Sequence, residues 1–228
     1  MNSEADPLAP TDAPPPAAKL PSDAELAATV AARLCHDFIS PASAIVSGID
    51  LLEDPESQDM HGDAMSLITQ SARKLAANLA FARVAFGASA AADTFDSRAL
   101  KTLLDGVFAH VRAELAWEVA LDSVNKPAAR ALLNLAQIGA GAMPTGGVAT
   151  VTASQDDGFI TVKVQADSPK VRLRSEIAEG LRGDALGDGL AGHWVQAYYV
   201  HRLVKEAGGA IDVDLDGERL TVSARVPG

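Results

Sequence analysis

The 228-residue sequence predicts a two-part fold, a helical hairpin followed by an α/β domain. Apolar residues recur at three- and four-residue steps through two long segments that end near Gly87, the period of amphipathic helices. Beyond Asp93 the pattern becomes mixed, and apolar and polar residues alternate on both sides of Asp157 and Gly158, as in a β-hairpin. The first 21 residues hold six of the twelve prolines and almost no large apolar side chains, so they read as a solvated tail outside the fold.

The elements follow in order. Ser22 and Glu25 form a capping box that starts the first helix, which runs to about Asp54. Pro55 and the polar stretch "DPESQD" turn the chain, Asp59 caps the second helix, and Gly87 ends it. The hairpin thus spans 22–90 and the second domain 93–228. In the latter, a helix near 97–109 precedes a strand around Trp117, and Pro127 suits the first turn of the next helix. A β-hairpin turns at Asp157-Gly158, a helix of roughly 190–207 stops at Gly208 and Gly209, and an Asp-Gly turn joins two closing strands. On the second helix, positions 68, 75, 79 and 86 and again 67 and 81 make an apolar face too wide for one partner helix. Two hairpins are therefore expected to pair as a homodimeric four-helix bundle.

Composition bounds the function. The chain is 48% hydrophobic and 21% charged, enough for one substantial core or two modest ones. With 19 Lys plus Arg against 30 Asp plus Glu its net charge is -11, which excludes a phosphate-backbone footprint and hence nucleic acid as a partner. Cys35 is the only cysteine, so no intrachain disulfide forms and a reducing compartment fits. The opening stretch carries acids and prolines where a signal peptide has basic and apolar residues, and no apolar run reaches membrane-spanning length. A cytoplasmic protein without a membrane partner is expected.

The first helix carries the chemistry. Leu34, Phe38, Pro41, Ile45, Ile49 and Leu52 form its buried stripe, and His36 lies about 200° around the helix from Leu34, facing outward. Its neighbours on that face are Arg33, Ser40, Ser43 and Ser47, a cation followed by short hydroxyls. Pro41 removes one amide donor just beyond the histidine, clashes with the preceding turn and is expected to kink the helix. A neutral imidazole on a low surface is a nucleophile with little steric guard. Asp37 is placed to set its tautomer, and Arg33 to steady a transferred phosphoryl group through charge-assisted hydrogen bonds. The other histidines are less suggestive. His61 is solvated, His110 sits at a helix carboxyl end, and His193 and His201 lack ligands at metal spacing. Cys35 reads as a small core-edge residue.

The stretch "LCHDFISPASAI" resembles the H-box of two-component histidine kinases, in which a phosphoaccepting histidine is followed by an acid, two largely apolar residues and a proline. His36, Asp37 and Pro41 match it directly. The hairpin resembles the dimerisation and histidine-phosphotransfer domain of that superfamily, and 93–228 resembles its ATPase-type α/β sandwich. The longer phrase "CHDFISPASAIVSGIDLLED" is similar to the ChpT family of alphaproteobacterial histidine phosphotransferases, and the chain is identified as a member.

The second domain departs from a working kinase. Asn134 fits the first asparagine position, but Ile138 stands where a magnesium-binding asparagine belongs, and a carbon side chain cannot ligate a hard cation. Of the adenine-gripping box only Asp167 remains, in "ADSPKVRL", and the glycine-rich lid survives only as Gly187, Gly189 and Leu190. A degenerate domain without ATP is expected.

The resemblance implies a phosphorelay. A phosphoaspartate on the receiver domain of a CckA-type hybrid kinase would pass its phosphoryl group to His36, and receivers of the CtrA and CpdR types would take it on. Arg33 and Asp37 would assist, and Ser40, Ser43 and Ser47 would meet the docked receiver. The chain would need no cofactor of its own, because the receiver brings magnesium. Two other functions compete: an ATP-dependent autokinase, opposed by Ile138, and a non-catalytic scaffold for receivers, opposed by His36 in its motif.

Overall fold

The computed structural model describes residues 19–87, 93–187 and 189–228. The proline-rich tail up to residue 18 lies outside them. The hairpin consists of α1 (Asp23–Glu53) and α2 (His61–Ala85). The α1 capping box is complete: the Ser22 hydroxyl accepts from the Glu25 amide, and the Glu25 carboxylate accepts from the Ser22 amide. Helix α1 continues through Pro41 without a break in helical assignment.

The helices approach closely at Gly48. A Cβ there would lie 2.6 Å from Ile68 Cγ1 and 3.2 Å from the Ala64 carbonyl oxygen, so only glycine fits. The expected buried stripe of α1 is accordingly corrected: of its members only Pro41 is buried, while Leu34, Phe38, Ile45 and Leu52 are half-buried. Gly48 is buried, while Ile49 is 42% exposed, because the small residue lets α2 sit against the backbone itself. The start of α2 is corrected too. Asp59 belongs to a short 3-10 turn, Gln58–Met60, and Met60 occupies the cap position with no side-chain hydrogen bond.

The second domain runs β1 (Thr94–Asp96), α3 (Ser97–Phe108), β2 (Ala113–Val119), β3 (Ser123–Asn125), α4 (Lys126–Gly141), β4 (Gly147–Asp156), β5 (Phe159–Asp167), α5 (Ser175–Arg182), α6 (Ala191–Glu206), β6 (Ala210–Asp216) and β7 (Arg219–Pro227). A five-stranded sheet has the order β2-β4-β5-β7-β6, with β2 parallel to β4 and the other pairs antiparallel. The short strands β1 and β3 pair separately, and these two and α5 carried no periodic signal strong enough to be read from sequence. Asp157 and Gly158 both have positive φ, the requirement of the tight turn expected there. In the last hairpin Asp216 stays in the strand, paired with Arg219, so the two-residue loop is Gly217-Glu218.

The core lies between α4 and one face of the sheet. Ile160, Val162, Val164 and Ala166 of β5 alternate inward, as do Leu220, Val222, Ala224 and Val226 of β7. Gly139 lets α4 settle on the sheet, since a Cβ there would lie 2.8 Å from Val164 Cγ1.

The hairpin and the α/β domain share this core. Phe81 and Ala85 near the end of α2 are buried in the same cluster as Leu100 and Leu104 of α3 and Leu132 of α4. Phe81, expected on a dimer face, is therefore covered by its own chain. A second contact joins α6 to α1, where Trp194, Val195 and Tyr198 pack on Leu26 and Val30. Arg202 of α6 reinforces it with a hydrogen bond of 3.0 Å to Asp23 and is braced by Glu206 one turn further along α6. The second domain is thus held against the amino-terminal half of α1, the half that leads to His36.

Candidate functional site

His36 stands where the helical period places it, with its side chain 84% exposed. Its ring Nδ1 lies 3.6 Å from Asp37 Oδ1, and Asp37 Oδ2 lies 3.5 Å from Arg33 Nε. The carboxylate therefore sits between a fixed cation and the imidazole. At 3.6 Å the imidazole contact is a charge contact rather than a hydrogen bond, so Asp37 acts on the ring through its field. The second nitrogen, Nε2, has no hydrogen-bond partner among the described residues and faces outward with the ring.

Arg33 is less free than its sequence position suggests. Its Nη1 donates to the Gly192 carbonyl at the start of α6, and its side chain is largely covered. This contact holds α6 beside His36 and leaves the rest of the guanidinium to face Asp37. Ser40, Ser43 and Ser47 are all exposed on the His36 side of α1. Cys35, expected at the core edge, is exposed instead. The second domain packs farther around α1 and leaves that side of the helix uncovered.

Two grooves flank the imidazole. One, of about 320 Å³, runs between α1, α2 and the end of α3 and brings Lys74, Asn78, His110 and Gln137 to the His36 side. The other, of about 450 Å³, lies toward α6 and includes Thr29, Leu190, Gly192 and His193. The second-domain residues among them, such as His110 and His193, were beyond sequence reasoning, since nothing local in "HVRAEL" or "GLAGHW" signals that the fold brings them to His36. In the sequence His110 and His193 stand as isolated histidines. Burial holds the His193 imidazole below its ordinary value, aided by Arg174 and Arg33 and opposed by Glu176. His61 is exposed and His201 Nδ1 meets the Leu181 carbonyl at 2.9 Å. Among the described residues no three His, Cys, Asp or Glu side chains come together as a metal site.

The positions that hold a nucleotide and its metal in a kinase are differently employed here. Ile138 is buried to 4% exposure in the core under α4. Asn134 is fully buried and spent on structure: its Nδ2 donates to the Arg130 and Ala85 carbonyls, and its Oδ1 accepts from Gln196 Nε2 at 3.0 Å. Gln196 also donates to Gln137 Oε1 at 2.6 Å, so one amide network ties α4, α6 and the end of α2 together. Asp167 Oδ1 accepts from Arg219 Nε at 2.5 Å across the β5–β7 pair. That bond holds Arg219 above its ordinary value and engages one oxygen of the carboxylate at the position the resemblance assigns to adenine. The donor set does not fit a magnesium nucleotide.

Known proteins bear on this arrangement. Residues 97–219 match the family described as "Histidine phosphotransferase C-terminal domain". The chain is 35% identical over 204 residues to protein phosphotransferase ChpT of Brucella abortus (strain 2308), covering 88% of this chain and 95% of that one. A solved structure described as a bacterial phosphotransferase superposes with a TM-score of 0.80 at 34% identity, covering 90% of this chain and all of that one. Among the described residues no helix is long and apolar enough to cross a membrane. An exposed imidazole in an H-box, a hairpin fused to a sandwich whose nucleotide positions serve the core, and likeness along nearly the whole chain lead to one assignment: the chain belongs to the ChpT family of histidine phosphotransferases.

Proposed function

We propose that the chain relays a phosphoryl group between receiver domains through His36, and the observation that carries this is the exposed imidazole with its outward nitrogen free. The Nε2 lone pair attacks the phosphorus of a receiver's phosphoaspartate, the N–P bond forms, and the acyl P–O bond breaks to release the aspartate carboxylate. A second receiver's aspartate reverses these bonds. The positive charge that develops on the ring is met by the Asp37 carboxylate 3.6 Å away, which Arg33 orients. Transfer of this kind depends on positioning and charge neutralisation around a loose transition state, and the receiver supplies the magnesium. Ser40, Ser43 and Ser47 form the low surface on which the receiver sits. The donor is the receiver domain of a CckA-type hybrid kinase, and the acceptors are CtrA-type and CpdR-type receivers.

The protein works without ATP. Support comes from Ile138 in the core, from Asn134 committed to three structural hydrogen bonds, and from Asp167 paired with Arg219. It works as a homodimer, supported by uncovered apolar side chains on both helices: Ile39, Val46 and Ile49 on α1, and Met65 and Leu79 on α2. Isolated exposed apolar residues are ordinary, but a face shared by two packed helices matches the seam of a four-helix bundle. Sedimentation of the purified protein at micromolar concentration is expected to give the dimer mass.

The decisive experiment mixes the purified protein with a phosphorylated receiver and follows the label. Acid-labile phosphate is expected on the chain, then on a second receiver added later. A chain that binds the receiver and never carries label would be a scaffold, and the relay would be refuted.

A further inference from the structure

In an α-helix the amide of residue 41 would donate to the carbonyl of residue 37. Residue 41 is proline, which has no N–H and whose ring crowds that same carbonyl. The Asp37 carbonyl is thus deprived of its regular donor one residue beyond His36. Opposite it, Asn78 of α2 extends its side-chain amide, and Asn78 Nδ2 lies 3.4 Å from the Asp37 carbonyl oxygen. The pair is half-buried and bridges residues 41 apart in sequence. Pro41 itself is buried.

We propose that Asn78 is a positioning residue for the transfer: it supplies the hydrogen-bond donor that Pro41 withholds, and so fixes the turn of α1 that presents Asp37 and His36. This rests on the relay reading given above. Asn78 is placed for the role, since it lines the groove shared with His36, Asp37 and Ser40. The bond is at the long end of the range, so its contribution lies in orientation. A freed carbonyl at this depth allows the turn to shift, and with it the carboxylate that faces the imidazole at 3.6 Å. Displacements well below the size of an atom are enough to slow a transfer that depends on in-line approach.

The test uses Asn78→Leu, which keeps the branching of the side chain at Cγ and removes its donor, in the natural background and together with Pro41→Ala. Alanine at 41 restores a backbone N–H to serve Asp37 and also favours the helix. In the natural background Asn78→Leu is expected to lower the maximal rate of phosphoryl uptake from a phosphorylated receiver about tenfold, with half-saturation nearly unchanged. In the Pro41→Ala background the same substitution is expected to change nothing. An equal loss in both backgrounds would mean that Asn78 acts through packing, and a natural rate for Asn78→Leu alone would mean that it does nothing; either result overturns the proposal. Hydrogen exchange supplies a reading independent of transfer. The amides from Phe38 to Ala44 are expected to exchange faster in Asn78→Leu and to regain protection when Pro41→Ala is added. If the natural protein takes up no label, the relay reading fails, and the exchange result still decides whether Asn78 holds this turn.

Discussion

Replacing His36 by alanine separates chemistry from stability. The imidazole is 84% exposed and its nearest polar contact is the Asp37 carboxylate at 3.6 Å. Removing it uncovers almost no buried surface and breaks no hydrogen bond among the described residues. The contact with Asp37 is an exposed charge pair, a type worth about 0–1 kcal/mol even when the ring is protonated. Alanine is the better helix former by up to about 0.7 kcal/mol, which offsets that loss. The net change is therefore expected within about 0.5 kcal/mol, or about 1–2 °C in Tm for a domain of this size. Phosphoryl uptake is expected to vanish, because α1 carries no other histidine. Both quantities can be read from one preparation, by thermal melting and by label chase from a phosphorylated receiver. Label on the alanine variant would refute the relay through His36. A melting temperature lowered by more than about 5 °C would refute the exposed placement from which the magnitude was derived.

Three further outcomes follow from the packing. Ile138→Asn, which recreates the kinase metal ligand, is expected to destabilise by about 3–5 kcal/mol in chemical denaturation, from lost apolar burial and an unpaired amide, and a nucleotide titration is expected to stay flat. Gly48→Val is expected to destabilise by about 1–3 kcal/mol in the same assay, since its Cβ would lie 2.6 Å from Ile68 Cγ1 and 3.2 Å from the Ala64 backbone carbonyl oxygen. His193 is held below its ordinary value of 6.5 mainly by burial, so the folded state binds its proton later than the unfolded state as pH falls. Stability is then level above that pH and declines as pH falls toward the lowered folded value. His193→Gln is expected to flatten that part of the profile in melts taken across pH.

The hairpin was legible because its signals are local. The Ser22–Glu25 capping box, the helical period of α1 and the outward position of His36 depend on spacing of a few residues, and each stands where the sequence puts it. The β-hairpin at Asp157-Gly158 was legible for the same reason, since positive φ at successive residues is a local demand. Strands β1 and β3 escaped notice because three residues are too few to show a period. Ile49 was misjudged because amphipathic spacing says that a stripe is buried, whereas the depth of each position depends on the partner helix, which comes closest at Gly48.

By itself the sequence determined where His36 stands, since helical spacing alone puts it on the exposed side of α1. The resemblance to an H-box also pointed to the family that the whole-chain likeness shows. The sequence also determined that position 138 offers no cation ligand, since an isoleucine side chain cannot bind one in any fold. The tertiary structure decided how this position and its neighbours are used. Asn134 became the centre of an amide network joining α2, α4 and α6, and Arg33 became a tie to the first turn of α6. It likewise decided that His110, His193 and Asn78 border the imidazole. Hydrogen-bond donors and acceptors find partners by proximity in space, and proximity between residues separated by 40 to 160 positions is created only when the chain packs.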